Sequence, residues 1–386
     1  MKKFLLLILL PLLILFPLLA EESFYQSIIN ASYLSSFAYG TFPVSLWADF
    51  GVSGIHLFDN LSTKIYARVE AGLTERNIQQ NPTNGNVLSS TDPTGSYLVA
   101  FSDGSAVIEQ GVVPDDERKD HDKVTLSLAL RMRWEQAFPT FADLRDNSNG
   151  IFDSDVLFPV KESVYPGTPE LSGDKYFLSN SFSFAAYYDE YFSDYLAPNG
   201  YKTEISMVFA PFWLANDIDY LFKGARTDAY KIRLSGNYDY TILDKKSKAG
   251  KRLYSMYVSA SASTTFLFGS SIPRYMQDKS FMGISIVPRL FYADISGRFQ
   301  INGPEFLTLG TYPSVYVTVQ NGLNAGPIIN NKGSALNMDL YGGFSVGTQM
   351  TLIGYLKAFM EYSYIYAPSA NRGHVFNAGC YLSVLF

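Results

Sequence analysis

The feature that most constrains this sequence is a strict alternation of apolar and polar residues that persists over unusually long runs. The clearest runs extend from Lys64 to Thr74, from Lys123 to Glu135 and from Tyr230 to Ile242. In the second run, every second residue from Val124 to Trp134 is apolar. Because successive side chains of a β-strand point to opposite faces, each run predicts a strand with one apolar and one largely polar face.

The length of these runs distinguishes between two kinds of all-β protein. Strands in soluble sandwiches average about five or six residues, whereas a tilted strand that crosses lipid needs about 9 to 11. Charged residues in the middle of the polar faces, such as Arg68 and Arg131, favour a water-filled interior. Lipid cannot hydrogen-bond backbone groups, so strands in a membrane must close. The sequence therefore predicts an all-β fold, a transmembrane antiparallel β-barrel, with a secreted soluble β protein as the alternative.

Weaker alternation adds further strands and leaves their number open between two values. These segments cover roughly 46–57, 176–188, 201–210, 252–267, 281–296, 313–322, 335–348, 353–366 and 374–386, which gives twelve candidates in all. If both termini are periplasmic and Phe386 ends the closing strand, twelve strands would place the long connection 75–122 on the periplasmic side. Barrels of this kind keep their periplasmic turns short. One more strand near Ile151 to Val160 and one at about 26–39 would turn that connection outward. We favour about fourteen strands, with twelve as the alternative.

Two long extracellular loops are expected, over about 75–122 and 137–175. Within the first, the pair Asp103-Gly104 lies between short apolar segments, and Asp-Gly is a frequent tight-turn sequence in hairpins. We therefore expect that loop to fold as a hairpin above the membrane.

The N-terminus has the pattern of an export signal. Lys2 and Lys3 precede an apolar stretch from Phe4 to Leu19, and Ala20 offers a small residue for cleavage. This predicts a signal peptide over 1–20, with an uncleaved anchor helix as the alternative, and a single barrel domain over 21–386. Cleavage would remove two lysines and change the net charge from −6 to −8, which leaves no basic field for nucleic acid.

The C-terminus carries a resemblance to a known class. The chain ends Cys380-Tyr381-Leu382-Ser383-Val384-Leu385-Phe386, with an apolar residue at every second position back from the terminal Phe. This ending resembles the closing strand of bacterial outer-membrane β-barrel proteins, including the porins. The resemblance implies a bacterial outer-membrane location, contact with outer-membrane lipid, and recognition of Phe386 by the barrel assembly machinery.

Residues typical of envelope enzymes and metal sites are sparse. The three histidines are His56, His121 and His374, and none has a serine two residues later, the pattern of outer-membrane phospholipases. The stretch around His121 is interpreted as a solvated charged segment. We expect no enzyme activity, no catalytic residue, no metal and no cofactor.

The charged residues on the inferred inner faces are the candidate functional residues. Cations and anions are mixed among them: Lys64, Arg68, Glu70, Arg131, Arg133, Glu135, Lys231, Arg233, Asp239, Asp339, Lys357 and Glu361. Such a lining can bias an aqueous pore by charge, or it can cross-link the strands and fill a narrow lumen.

The leading functional hypothesis is a porin-like channel for the passive diffusion of small hydrophilic solutes. The alternatives are a transporter of hydrophobic compounds of the fatty-acid type, and a structural or adhesin barrel that displays surface loops.

Overall fold

The computed structural model describes the barrel strands and part of the connections between them. The described residues are 24–25, 28–36, 44–58, 61–77, 96–115, 122–138, 176–192, 194, 196–211, 213–214, 228–248, 250–271, 274–277, 279–282, 284–286, 290–306, 310–330, 333–352, 356–366 and 373–385. The predicted signal peptide, the strand predicted near Ile151 to Val160, and the terminal Phe386 lie outside this set.

Within the described residues the chain forms strands and one four-residue helix. The elements are β1 (Phe24–Tyr25), β2 (Ile28–Ser36), β3 (Val44–Phe58), β4 (Leu61–Asn77), β5 (Ser96–Pro114), β6 (Asp122–Phe138), β7 (Tyr176–Phe192), β8 (Asn199–Ala210), β9 (Asp228–Lys246), β10 (Arg252–Ser271), α1 (Arg274–Gln277), β11 (Lys279–Phe281), β12 (Ile284–Ile286), β13 (Phe291–Asn302), β14 (Tyr312–Asn330), β15 (Gly333–Leu352), β16 (Leu356–Tyr366) and β17 (Gly373–Leu385). No helix in this part of the chain has the length and hydropathy of a membrane span.

The long strands pair as a closed antiparallel ring. The main sheet has 15 strands, of which the two-residue β1 pairs only with β3. Each of the other fourteen pairs with a neighbour on both sides, and the ring closes where β17 pairs with β2, β2 with β3 and β3 with β4. The predicted all-β antiparallel barrel is therefore confirmed, and the described long strands number fourteen rather than twelve.

The two ends of the barrel differ in the length of their connections. Ile28 pairs with Leu385, so the start of β2 and the end of β17 lie at one end, the terminal end. Connections at this end are short, for example 59–60 and 353–355, whereas the opposite end carries 78–95 and 139–175. This asymmetry is typical of outer-membrane barrels, whose periplasmic turns are short.

The loop predicted over 75–122 is wrong, because β5 runs through its middle. Asp103 and Gly104 are central residues of that strand and form no hairpin. The local sequence misled because Asp103 pairs with arginines that are distant in the sequence. Asp103 points inward to two arginines of β6, and Gly104 pairs in mid-strand with Val69 and Met132. Of the two strands that the structure adds to the predicted twelve, one is β2 and the other is β5.

The strand predicted over 281–296 is also wrong in its first half. β13 begins at Phe291, and residues 279–286 form the separate two-stranded hairpin β11–β12. The consecutive residues Phe281 and Met282 are both buried in an apolar cluster inside the barrel, which a lipid-facing strand would not allow. The strand predicted at about 26–39 corresponds to β2.

The two faces of the ring differ in chemistry as the alternation predicts. In β6, Leu128 is 54% exposed on the outer face while its neighbour Ser127 is 8% exposed on the inner face. Other strands also present large apolar side chains outward, including Leu46, Val69, Ile108, Phe184, Ile205, Leu234, Ile295, Val317, Leu340 and Met360. An apolar exterior around a polar interior is the arrangement that a barrel in lipid requires.

Candidate functional site

Ion pairs cross-link neighbouring strands on the inner face of the barrel. The Arg68 guanidinium on β4 donates two hydrogen bonds to the carboxylate of Asp49 on β3, from Nε at 2.6 Å and from Nη2 at 2.7 Å. The same guanidinium lies 4.9 Å from the ring centroid of Trp47. A bidentate pair of this kind is both strong and directional, so Arg68 is held against the wall.

A second network joins β5 and β6. Asp103 accepts hydrogen bonds from Arg131 Nε at 2.6 Å and from Arg133 Nη1 at 3.2 Å, and Arg133 Nε donates to Glu135 at 2.6 Å. The Arg133 guanidinium also lies 4.2 Å from the ring centroid of Phe101. These charges neutralise one another, so the arginines are structural cross-links as well as lining residues.

The remaining predicted lining residues also lie on inner faces but do not form one cluster. They are spread over four strands: Lys64 and Glu70 on β4, Lys231, Arg233 and Asp239 on β9, Asp339 on β15, and Lys357 and Glu361 on β16. Asp239 accepts a 2.6 Å hydrogen bond from Asn237 on its own strand. The predicted set therefore surrounds the interior and does not mark a single site.

The most informative feature of the interior is a segment that leaves the wall between β10 and β13. We call Arg274–Ile286, which contains α1, β11 and β12, the inward segment. At its start, the Tyr275 hydroxyl is 2.9 Å from Ser179 Oγ on β7, and its ring lies 5.4 Å and 4.9 Å from the guanidinium carbons of Arg131 and Arg133. Next to it, Met276 packs against inner side chains of β8 and β9.

The second half of the inward segment contacts a different part of the wall. Phe281 and Met282 are buried in an apolar cluster with Tyr292, Tyr341, Ile365 and Val375, which belong to β13, β15, β16 and β17. Asn377 Nδ2 on β17 donates a 3.2 Å hydrogen bond to the Met282 carbonyl oxygen. The segment is therefore fixed by an apolar anchor and by a polar contact to its backbone.

The contacts of the inward segment extend from β6 and β7 at one extreme to β16 and β17 at the other, so the segment spans the interior. Strands β6 and β7 are separated from β16 and β17 by about half of the ring in either direction. Glycines on the wall make room for the segment. A Cβ at Gly343 would lie 2.5 Å from Met282 Sδ, and one at Gly322 would lie 3.4 Å from the Phe281 ring.

Next to the inward segment the interior contains a polar cavity of about 390 Å³. Its lining is mostly hydroxyl and amide side chains, with one cation and one anion: Ser259, Met282, Ser296, Arg298, Thr318, Gln320, Ser345, Phe359, Glu361 and Asn377. Of these, only Glu361 was predicted from the sequence.

Arg298 and Glu361 are linked through an aromatic ring. The Arg298 guanidinium stacks on Tyr316 at 3.6 Å from the ring centroid, and the Tyr316 hydroxyl faces the Glu361 carboxylate. The ring lies flat against the wall because the residue beneath it is Gly347, where a Cβ would be 2.3 Å from Tyr316 Cζ. Alternation in β13 and β14 places Arg298 and Tyr316 inward, but the predicted strand 281–296 ended before Arg298.

A further charged cluster lies at the terminal end of the barrel, in and beside the turns. Arg252 donates to both carboxylate oxygens of Asp194, at 3.0 and 2.6 Å, and to both of Asp244, at 2.5 and 2.8 Å. Hydrogen bonds from Arg252 favour the ionised carboxylates and hold the pKa of Asp194 and of Asp244 below the ordinary value. The cluster ties the β7–β8 connection to the β9–β10 hairpin.

Within the described ranges, no group of three His, Cys, Asp or Glu side chains is arranged to hold a metal ion. His374 and Cys380 are both exposed residues of β17 on its outer face. His374 lies beside Tyr362 and Tyr364 of β16, with ring centroids 5.8 and 5.3 Å apart. This aromatic cluster is typical of the girdles at a membrane interface.

No protein-family model matches the sequence, and no curated protein sequence matches it. Among solved structures, the chain is similar to BamA from Haemophilus ducreyi lacking POTRA domains 1-3, with 11% identity, a TM-score of 0.45, and coverage of 93% of this chain and 70% of that one. It is also similar to OprB of Pseudomonas putida, with 10% identity, a TM-score of 0.36, and coverage of 96% of each chain. A bacterial polysaccharide outer membrane secretin matches with 10% identity, a TM-score of 0.34, and coverage of 94% of this chain and 98% of that one. Likeness at this level carries no functional information.

The physical properties of the barrel itself identify its class. Fourteen long strands pair in a closed antiparallel ring, large apolar side chains cover the outside, and charged and amide side chains line the inside. Closure satisfies the backbone groups that lipid cannot hydrogen-bond. By its architecture, this chain is a transmembrane β-barrel of the bacterial outer-membrane kind.

Proposed function

We propose that the protein is a porin-like channel for small hydrophilic solutes, in which the inward segment narrows the passage. The observation that carries this proposal is the polar cavity of about 390 Å³ beside the segment, inside the ring of strands. An interior that served only to hold the barrel together would be expected to pair its polar groups internally. Here hydroxyl, amide and charged side chains border an open cavity instead.

The charged residues of the wall include both signs, which supports a passage without strong selectivity for anions or for cations. Arg68, Arg131 and Arg133 are each paired with a carboxylate, which reduces the net field they project into the lumen. We therefore expect weak discrimination between small anions and cations, and exclusion mainly by size.

A second candidate is a closed barrel that displays its long connections at the end opposite the termini. The observation that favours it is the inward segment, which is anchored on both sides of the ring. In this case the cavity would hold only water, and the ion pairs would serve stability alone.

Swelling of lipid vesicles that contain the purified protein tests the proposal. We expect vesicles to swell rapidly in isotonic urea and more slowly in polyethylene glycols of increasing mass, with a sharp size cutoff. Vesicles with heat-denatured protein are the control for leakage. An absence of swelling in every solute, with protein that is folded by its gel migration, would favour the closed display barrel.

A further inference from the structure

The connection between β7 and β8, at the terminal end of the barrel, is packed against the protein and does not project into water. Its described residues are Asp194 and Leu196–Pro198, which we call the terminal turn. Leu196 and Ala197 are 4% and 8% exposed, and Pro198 is buried as well. Connections usually run over the surface and stay exposed, so the burial of three consecutive residues indicates a specific resting place.

The contacts of the terminal turn place it over the inner side of the wall. The Leu196 carbonyl oxygen accepts hydrogen bonds from Ser255 Oγ on β10 and from Asn302 Nδ2 on β13, the second at 2.8 Å. Both side chains are 0% exposed, and they point inward like Ser259 and Arg298 of the same strands, which line the cavity. Because β9 and β10 lie between β8 and β13, the turn reaches across three strand spacings, about 14 Å.

The inner wall holds the groups that receive the turn in a fixed arrangement. Asn302 Nδ2 also donates to Ser255 Oγ at 2.9 Å, and Asn302 Oδ1 accepts a 2.7 Å hydrogen bond from Gln300 Nε2 on the same strand. Buried amide and hydroxyl groups need hydrogen-bond partners, and the backbone of the turn supplies one to each of Ser255 and Asn302. The seat of the turn is therefore specific.

Arg252 fastens the turn from outside this seat. Its guanidinium donates to both carboxylate oxygens of Asp194 while it also binds Asp244 of β9. Asp194 Oδ1 accepts in addition the backbone N–H of Leu196 at 3.1 Å, so the same carboxylate joins Arg252 to the residue that contacts the inner wall. The Arg252 side chain is 10% exposed and that of Asp194 is 44% exposed. Water therefore reaches the Asp194 side of the pair.

We propose that the terminal turn is a flap that narrows the terminal mouth of the barrel, and that Arg252 holds this flap closed. Side chains of the wall make the hydrogen bonds that seat it, so the flap can lift while the ring of fourteen strands stays paired. Such local opening takes less free energy than global unfolding. The inference rests on the proposed function only for its effect on permeation, since the position of the flap is measured without transport.

The rate at which a cysteine in the flap reacts with a water-soluble maleimide measures how often the flap opens. The reporter is Ala197→Cys, a small and buried position, in protein whose native thiol is removed by Cys380→Ser. Arg252→Gln and Asp194→Asn each remove one partner of the ion pair. Lys246→Gln is the control for charge, because the Lys246 ammonium lies 3.5 Å from Asp244 in the same cluster. The gel band of folded protein verifies each variant in detergent.

We expect the reporter to react about 5-fold faster in Arg252→Gln and in Asp194→Asn, as for the loss of a partly exposed charged pair. Lys246→Gln should leave the rate unchanged. Arg68→Gln should also leave it unchanged, because it breaks an ion pair on β3 and β4, several strands away, and so controls for a general loss of stability. Equal rates in all variants, or faster reaction in Arg68→Gln as well, would overturn the role of Arg252.

Swelling of lipid vesicles tests whether the flap narrows the mouth. Vesicles with Arg252→Gln should swell faster than the wild type in every solute that enters, and those with Lys246→Gln should not. A faster thiol reaction with unchanged swelling rates would overturn the narrowing. A faster thiol reaction with vesicles that swell in no solute would refute the channel and keep the flap, whereas swelling with a thiol reaction that ignores Arg252 would refute the flap and keep the channel.

Discussion

Adjacent residues of one strand face different surroundings in this barrel, and their tolerance of charge should differ accordingly. Ser127 points inward at the position that pairs with Glu109 of β5, whereas Leu128 points outward and is half exposed. A cation at the inner position has the Glu109 carboxylate opposite it to pair with. A cation at the outer position has hydrocarbon.

We therefore expect Leu128→Arg to lower the free energy of unfolding by roughly 2 to 4 kcal/mol, the cost of a cation near the bilayer midplane. Ser127→Arg should lower it by less than Leu128→Arg does, because the new guanidinium can pair with the Glu109 carboxylate. Urea unfolding of both variants in lipid vesicles measures the difference. Equal losses would indicate a strand packed on both faces, and the reverse order would mean that the faces are exchanged.

A second residue-scale prediction concerns the glycine beneath the Tyr316 ring. Gly347→Ala places a Cβ at 2.3 Å from Tyr316 Cζ, so the ring must leave the wall and release Arg298 from its stacked position. We expect a loss of about 1–3 kcal/mol in the free energy of unfolding, the usual cost of overpacking.

Gly297→Ala is the matched control for Gly347→Ala, since its Cβ would meet nothing within 4 Å. It should be neutral or stabilising by about 0.5–1 kcal/mol, because alanine loses less backbone entropy on folding than glycine. A similar loss in both variants would show that strand glycines act through backbone geometry here and not through room for Tyr316.

At the scale of elements, the sequence predicted the strands that have one face toward lipid and the other toward the lumen. It missed the elements whose conformation depends on contacts with residues distant in the sequence. β6 was predicted correctly because lipid and lumen impose strict alternation on it. β5 was mistaken for a loop because Asp103-Gly104 has local turn character, and its arginine partners lie about thirty residues away. The inward segment was mistaken for part of a strand because Phe281 and Ile284 are apolar in either setting. The apolar periodicity of a sequence predicts which side chains avoid water. It does not distinguish side chains that face lipid from those that pack inside the barrel.

The element-scale prediction concerns the Arg252 cluster that joins two turns. The pKa of Asp194 and of Asp244 is lowered in the folded state, so their pairing with Arg252 stabilises the fold above the ordinary Asp pKa of about 3.9. This contribution is lost as the pH falls through the folded-state pKa. Since Asp194 is 44% exposed, solvent screening limits the contribution to roughly 1 kcal/mol.

Arg252→Gln should therefore be less stable than the wild type at pH 7, and the gap should close as the pH falls below the ordinary Asp value. Urea unfolding at successive pH values measures the gap. Lys246→Gln is the control, because Lys246 makes only a 3.5 Å contact with Asp244 and should change little. A gap that stays constant with pH would mean that Arg252 acts through packing and not through its charge.

At the scale of the whole molecule, the barrel depends on the seam where its last strand meets its first long one. Residues Asn377–Leu385 of β17 pair with Ile28–Ser36 of β2, so the C-terminal strand must be in place before the ring closes. From the resemblance of the chain ending to outer-membrane barrel proteins, we propose that the assembly machinery recognises Phe386.

Deleting Phe386 should thus reduce the fraction of protein that reaches the outer membrane in a folded form, far more than a substitution such as Ser247→Ala in the short β9–β10 turn. Folded barrels resist detergent until heated, because a closed ring has no free edge from which to unravel. The ratio of the two gel bands before and after boiling measures assembly. Normal assembly of the deletion variant would remove Phe386 from this role.

We propose that the interior is a passage narrowed by the inward segment, and single-channel recording in planar bilayers tests this proposal most directly. Phe281→Ala with Met282→Ala removes the apolar anchor of the segment, whereas Leu290→Ala changes an exposed residue of the same connection. We expect small stepwise currents from the wild type and from Leu290→Ala, and larger, noisier steps from the double variant. Folded protein that stays silent in all three forms, or steps that are identical in all three, would contradict the account.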